Sequence, residues 1–344
     1  MKVPSVIQIQ FVALRRLLAE TKEQFCFAIK NKLRSIFGWI MSLSLFSWLY
    51  RNIQKFLIKV LSVGPVPEHV SFIMDGNRRY AKSRKLPVKK GHEAGGLTLL
   101  TLLYICKRLG VRCVSAYAFS IENFNRPKEE VDTLMNLFTV KLDEFAKRAN
   151  DYKDPLYGSK IRIVGDQSLL SAGMREKIAK VEEITKLGDD FTLYICFPYT
   201  SRNDMLHTIQ GSVQDCLQNK SQSKIDIKKF TSKMYMDFYS NKCELLIRTS
   251  GHRRLSDYML WQVHENATIE FSDTLWPNFS FLAMYLMILK WSFFCTIQRY
   301  NERNHSLFER VYEGVPSILK RKKTSMSLYQ FPDPPISVSI TGED

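Results

Sequence analysis

The sequence has no Cys-x-x-Cys pair. Its seven cysteines (26, 106, 113, 196, 216, 243 and 295) are scattered and odd in number. A structural zinc site therefore finds no ligand cluster, and the set reads as reduced thiols facing the cytosol. There is no GxxxxGK[ST] loop, which argues against an ordinary P-loop nucleotide enzyme. No GxGxxG follows a strand candidate, so a nicotinamide cofactor is not indicated. Internal repeats and a general base of the Ser-His-Asp kind are also missing. Acid is short as well: 34 Asp and Glu stand against 50 Lys and Arg, a formal charge of +16. Such an excess attracts polyanions, whether nucleic acid, an anionic membrane face or phosphorylated substrates. A nucleic-acid binder would interleave its basic residues with exposed aromatics and carry no membrane segment, so no nucleic acid is expected as a partner.

What is present begins with size. The chain has 344 residues, 45% of them hydrophobic, enough for one large domain or two small ones. From Ser35 to Tyr50 it carries no charge and is dominated by Ile, Leu, Phe and Trp, with Lys30, Lys32 and Arg34 before it and Arg51, Lys55 and Lys59 after it. This run is short of the ~20 apolar residues of a spanning helix. It lies too far from residue 1, and ends in the wrong residues, for a cleaved signal peptide. Trp at both ends with basic flanks fits an interfacial or re-entrant anchor; a buried helix is the plain alternative. Val63-Gly64-Pro65-Val66-Pro67 then breaks the pattern. The expected organisation is a membrane-associating helical region over 1–62, the main domain over 63–315 and a flexible tail over 316–344.

Strand candidates are Val70–Met74, Val111–Phe119, Ile161–Val164, Phe191–Phe197, Leu245–Arg248 and Thr268–Phe271. Helical candidates between them are Arg79–Arg84, Gly95–Leu109, Pro127–Asn150, Ala172–Leu187, Ser201–Asn219 and Ser256–Val263. Alternation of the two kinds predicts an α/β fold with a mostly parallel sheet covered on both faces. A further apolar stretch, Phe279–Thr296, is either a second membrane-touching helix or core, and core is the favoured reading.

Four segments follow strands, where open α/β sheets place their ligands. In the first, a strand delivers Asp75, then Gly76 for a tight turn, then Asn77, Arg78 and Arg79 opening a helix. A helix start with two guanidiniums suits a phosphate, and Asp75 beside it makes sense if Mg²⁺ bridges it to a diphosphate. The alternative is an ordinary turn with Asp75 or Asn77 as N-cap. In the second, Ser120, Asn123 and Arg126 either face a shared cleft or, with Glu122 and Asn125, serve the turn before Pro127. In the third, Arg248, Arg253, Arg254 and Ser256 put three guanidiniums in one turn, which repel unless anions lie between them; a solvated loop is the alternative. The fourth holds Glu265, Glu270 and Asp273, read mainly as surface acids. Two basic cradles and one carboxylate suit a reaction that joins two diphosphate-bearing substrates. The apolar helices Gly95–Leu109 and Pro127–Asn150 either fill a core or wall a channel for hydrocarbon.

The MDGNRRYAK run, Gly91-His92, YAFSIENFNRP, IRTSGHRRLSDYMLWQ and LWP resemble, in order, the motifs of the cis-prenyltransferase family, which includes undecaprenyl and dehydrodolichyl diphosphate synthases. The resemblance spans about Pro65–Tyr300, and the NRRYAK form with a hydrophobic extension before it is similar to eukaryotic members. It implies a central six-stranded, mostly parallel sheet flanked by helices over a hydrophobic tunnel. It implies that Asp75 holds Mg²⁺ with a diphosphate. Gly76, Asn77, Arg78, Arg79 and His92 would bind the allylic diphosphate, with farnesyl diphosphate as primer. Arg248, Arg254 and Ser256 would bind isopentenyl diphosphate, and Asn123 and Arg126 would order the condensation, with Arg126 on the allylic side. The implied setting is dolichol synthesis for protein glycosylation at the cytosolic face of the endoplasmic reticulum, with lipid droplets as a second surface.

Three departures accompany the match. Val88 stands where a basic residue commonly precedes Gly-His, with Lys89 and Lys90 adjacent. Thr268 stands where bacterial members carry a metal-binding Glu, with Glu265 and Glu270 offset. No Arg-x-Gly occurs in Glu302–Lys323. Eukaryotic relatives lacking that motif receive it from a related accessory subunit, so a heteromer is expected. A non-catalytic subunit of the same fold is the competing expectation, although such subunits usually lose the Asp-Gly-Asn-Arg-Arg residues intact here.

Overall fold

The computed structural model describes residues 44–313, apart from 219–224, 237–238, 240–241 and 266. Most of the uncharged run Ser35–Tyr50 and the tail 316–344 lie outside the described residues. Contacts divide the chain into 1–293 and 294–344, and the described part of the second unit continues the last helix.

Six strands form one sheet: β1 (His69–Ile73), β2 (Cys113–Tyr117), β3 (Ser159–Val164), β4 (Phe191–Cys196), β5 (Leu245–Arg248) and β6 (Thr268–Phe271). Their order is β3-β4-β2-β1-β5-β6, with every neighbouring pair parallel. β1 and β5 are buried along their whole length, as continuous apolar runs in a doubly covered sheet should be. The edge strand β6 is exposed at both ends. The sheet grows from β1 through β2 to β4 and β3, then the chain crosses to the other side of β1 for β5 and β6. Such a reversal parts the loops at the carboxyl ends of the strands and opens a crevice there.

The helices are α1 (Ser44–Leu61), α2 (Asn77–Ser83), α3 (Val88–Leu109), α4 (Lys128–Asn150), α5 (Ala172–Ile184), α6 (Ser201–Gln218), α7 (Ile227–Ser232), α8 (Leu260–Val263) and α9 (Phe281–Glu313). Helix α3 starts two turns before the sequence expectation at Gly95, because Gly91, Gly95 and Gly96 are helical residues here and not breakers. A Cβ on Gly91 would lie 2.3 Å from the Asn77 carbonyl oxygen, and one on Gly95 2.3 Å from Asn77 Oδ1. The glycines are a seam that lets α2 lie against α3, and their helix-propensity cost of ~1 kcal/mol each is offset by that close approach. The expected helix Ser256–Val263 is shorter, since Ser256, Asp257 and Met259 have positive φ and only Leu260–Val263 is helical.

The apolar stretch after Trp276 is neither wholly core nor wholly exposed. Phe281, Met284, Tyr285, Ile288 and Trp291 are buried, whereas Leu282, Leu286, Leu289 and Phe293 are open to solvent. Phe281–Asn301 is, among the described residues, the one helical stretch long and apolar enough to cross a membrane by length and composition.

Candidate functional site

The carboxyl ends of β1, β2 and β5 converge on a cleft of about 390 Å³, within the usual range for small-molecule sites. Register explains the convergence: Ile73 of β1 lies beside Arg248 of β5 and Tyr117 of β2. The residues that follow each strand therefore face one another. The polar part of the lining is Asp75, Asn77, Arg78, Ser120, Glu122, Asn123, Arg126, Arg248, Arg254 and Ser256, which follow or end the strands, together with His92 of α3 and Lys141 of α4. The apolar part is Leu99 of α3, Leu134, Leu137, Phe138, Leu142 and Phe145 of α4, and Phe119, Ile195 and Phe197. Phe138 stacks on Phe197 with ring centroids 3.7 Å apart. Helix α4 thus supplies buried side chains that also line the cleft.

Asp75 is not an N-cap. Gly76 occupies that position with φ 106°, and no side chain caps α2. A Cβ there would lie 2.6 Å from Ser250 Oγ, so glycine is required both for the backbone conformation and for space. With its backbone carbonyl taken by Trp276 N–H at 3.0 Å and Thr249 Oγ1 at 2.9 Å, Asp75 is fixed and its carboxylate turns to the arginines. Its Oδ2 accepts from Arg248 Nη2 at 3.1 Å, and Oδ1 lies 3.5 Å from Arg79 Nη2.

Arg248 is 3% exposed, and a buried guanidinium is costly unless its donors are used. Its Nη1 donates to Ser256 Oγ at 2.8 Å and to the Arg254 carbonyl. Arg254 is among the residues that line the cleft, and Arg253 is not. Arg79 is half exposed; it donates to Ser250 Oγ and lies beside Asp75 at the margin of the cleft, outside the residues that line it.

On the other flank Ser120 caps a 3₁₀ turn, Ile121–Asn125, and Asn123 Oδ1 accepts from Ser120 N–H at 3.2 Å, which leaves the Asn123 amide NH₂ as a donor. Arg126 donates to Glu130 Oε1 at 2.9 Å, and Arg78 lies 3.7 Å from Glu130 Oε2. Glu130 thus holds two guanidiniums. The sequence reading passed over it as one acid among several at a helix start, a position that the helix dipole alone explains.

His92 has its pKa lowered to about 4, first by burial and then by Arg126, with Arg78 adding to the effect and Glu130 opposing it. Burial and the two neighbouring guanidiniums thus favour the neutral imidazole. Five buried side-chain polar atoms among the described residues lack a partner, and three of them, Asn77 Oδ1, His92 Nε2 and Arg248 Nε, belong to residues lining this cleft. Unspent hydrogen-bonding capacity of that kind is what a polar ligand uses.

No cluster of three or more His, Cys, Asp or Glu that could hold a metal occurs among the described residues, and two acids of the fourth segment are engaged elsewhere. Glu270 takes Lys290 at 2.7 Å, and Glu265 lies 3.5 Å from His264. The cleft is lined by two carboxylates, Asp75 and Glu122; Glu122 is paired with Arg202 at 3.1 Å, which leaves Asp75, beside arginines, as the hard donor for a cation. That fits Mg²⁺, which keeps several waters and commonly binds through one or two carboxylates plus substrate phosphates.

Comparison with known proteins agrees with this geometry. A family model described as "Putative undecaprenyl diphosphate synthase" matches residues 73–297. The chain is 83% identical over 344 residues, all of both chains, to the dehydrodolichyl diphosphate synthase complex subunit SRT1 of Saccharomyces cerevisiae. It is 40% identical over 255 residues to a dehydrodolichyl diphosphate synthase complex subunit of Schizosaccharomyces pombe, covering 74% of this chain and 96% of that one. Among solved structures, lavandulyl diphosphate synthase from Lavandula x intermedia, crystallised with dimethylallyl diphosphate, superposes with a TM-score of 0.60 at 25% identity, over 66% of this chain and 95% of its own. A parallel six-stranded sheet, a polar cleft at its carboxyl edge continued by an apolar wall, and matches of this extent have one meaning: the chain belongs to the cis-prenyltransferase family.

Proposed function

We propose that this chain is the catalytic subunit of a dehydrodolichyl diphosphate synthase, adding isopentenyl diphosphate in cis to an allylic diphosphate primer such as farnesyl diphosphate. The observation that carries the reading is the cleft itself. Arginines from two separate turns flank the Asp75 carboxylate in the polar part of its lining, and the apolar part is hydrocarbon-like. A diphosphate head and a prenyl tail match those two parts.

In this reading Gly76, Asn77, Arg78, Arg79 and His92 hold the allylic diphosphate, with Arg126 closing over it. Arg248, Arg254 and Ser256 hold isopentenyl diphosphate, and Asn123 orders the two. The C1–O bond to the allylic diphosphate breaks, the isopentenyl double bond supplies the electron pair for the new C–C bond, and a proton leaves the adduct to restore an alkene. When bound to Asp75, Mg²⁺ would neutralise charge on the departing diphosphate. The arginines do the same with preorganised donors, the largest kind of contribution in such reactions. Holding both reactants in one cleft supplies the rest, while the apolar wall keeps water from the reacting carbon.

The complex takes a related accessory subunit that supplies the Arg-x-Gly missing here, and the relatives' names as complex subunits support a partner. Residues 63–315 form the catalytic domain. Residues 1–62 associate with a membrane surface at the cytosolic side of the endoplasmic reticulum or on lipid droplets, and 316–344 form the tail. The test incubates the chain and its accessory subunit with labelled isopentenyl diphosphate, farnesyl diphosphate and Mg²⁺, and separates the products by chain length. Long polyprenyl product that disappears with Asp75→Ala is the expected result. Product unchanged by that substitution refutes the site, and full activity of this chain alone refutes the partner. If activity follows the accessory chain's residues instead, this chain is the non-catalytic member.

A further inference from the structure

The turns on the two flanks of the cleft, 120–127 after β2 and 249–259 after β5, are joined by a residue that lines neither. From the structure we infer that Arg202, in the first turn of α6, is a positioning residue that braces the two turns against each other and so sets the spacing of the two diphosphate sites. This rests on the assignment of those turns to the two substrates. Arg202 binds the same carboxylate twice: its backbone N–H donates to Asp257 Oδ1 at 3.1 Å and its Nε to Oδ2 at 2.7 Å. Its Nη2 then reaches across to Glu122 Oε1 at 3.1 Å. Ser201 N–H donates to the Asp257 carbonyl at 2.7 Å, and Leu260 N–H to Ser201 Oγ at 3.0 Å. The turn after β5 is thus pinned from both sides of Asp257 to the start of α6.

An exposed ion pair usually contributes little, and Arg202 is 71% exposed. Two features separate this case. The Asp257 side chain is only 10% exposed, and it also accepts from the Arg202 backbone N–H at the start of α6, a donor that lacks a partner within its own helix. In addition, Ser256, Asp257 and Met259 hold φ of 53°, 55° and 50°. Non-glycine residues keep such angles only where their surroundings impose them. Ser256 hydroxyl meets Arg248 Nη1, so whatever holds this backbone also holds a diphosphate donor in place. Through Glu122 the same guanidinium ties down the turn carrying Asn123 and Arg126.

The test compares Arg202→Gln, Arg202→Lys, Glu122→Gln and Lys186→Gln in the complete complex. It measures KM for each substrate, kcat, Tm, and hydrogen–deuterium exchange over 118–127 and 249–260. Arg202→Gln is expected to raise KM for isopentenyl diphosphate roughly ten-fold, the scale of one lost charge-assisted contact. It should speed exchange in both turns and leave Tm and the sheet unchanged. Arg202→Lys should recover part of the loss, Glu122→Gln should loosen only 118–127, and Lys186→Gln should match wild type. Unaltered exchange in both turns overturns the brace, and so does exchange that rises throughout the sheet together with a fall in Tm. If wild type itself makes no product, the functional reading fails, and exchange alone decides the brace.

Discussion

Replacing Gly91 by Ala places a methyl group 2.3 Å from the carbonyl oxygen of Asn77 and 3.0 Å from Ala81 Cβ. Reaching even the 3.0 Å limit of close contact requires α2 to retreat by about 0.7 Å. The clashing atom is backbone, so no rotamer change relieves it. Alanine returns ~1 kcal/mol of helix propensity, and overpacking costs ~1–3 kcal/mol. The net loss of stability is therefore about 0–2 kcal/mol, small enough to leave the protein folded. Function suffers more, because α2 carries Arg78 and Arg79 directly behind Asp75 and Gly76. A misplacement near 1 Å at a reacting site costs on the order of 100-fold, so a fall of about 10–100-fold in kcat/KM is expected. Gly211→Ala in α6 is the control, since a Cβ there meets nothing within 4 Å; it should gain up to ~1 kcal/mol with unchanged activity. Urea midpoints and steady-state kinetics on the two variants decide the matter. Were Gly91→Ala to behave like Gly211→Ala, the account of α3 as a steric seam for α2 is wrong.

Arg248→Met removes the link between Asp75 and Ser256 at similar volume, and the loss of one preorganised donor predicts a drop of at least ~100-fold in kcat, read by single-turnover product formation. Glu130→Gln releases Arg78 and Arg126 and should raise KM for the allylic substrate. It should also lower the His92 pKa further, because Glu130 is the neighbour that raises it; NMR titration of the ring checks the direction. His92 and His69 have folded pKa values lowered to about 4 and about 3, both from 6.5, chiefly by burial. The unfolded chain therefore takes up these protons first as pH falls. Stability is full above pH 6.5 and declines toward pH 4, by up to ~1.4 kcal/mol per pH unit for each histidine. Denaturation midpoints of His92→Gln should fall less steeply over that window than those of wild type; an identical slope would show that His92 titrates normally.

All six strands were legible in the sequence, since buried parallel strands are written as short apolar runs. Asp75, Asn123, Arg126, Arg248, Arg254 and Ser256 were legible because each follows such a run, and the structure brings them to one cleft. Arg79 was read as part of the same cradle; it does lie beside Asp75, and its further contact with Ser250, 171 residues away, is one that no local pattern announces. Glu130, Arg202 and the Gly91–Gly95 seam escaped notice for the same reason. Arg126 is only four residues from Glu130, but Arg78 and the partners of Arg202 and the glycines are distant along the chain; locally these residues look like a helix-start acid, a surface arginine and helix breakers. The left-handed backbone at Ser256, Asp257 and Met259 was read as helix because none of these residues advertises positive φ.

The contact between Arg248 and Asp75 spans 173 positions of sequence. The carboxylate emerges early in synthesis, and its buried counter-charge arrives only after four further strands have been added. A nascent or truncated chain ending before β5 has half a binding site and a sheet open along β1, its future central strand. Long-range parallel pairing of this sort closes slowly, which leaves an interval in which the chain needs protection from aggregation. On the proposed function, in which substrate engages both halves, it stabilises only the finished product of that process, so added diphosphate should rescue folding-impaired variants after assembly but not during it.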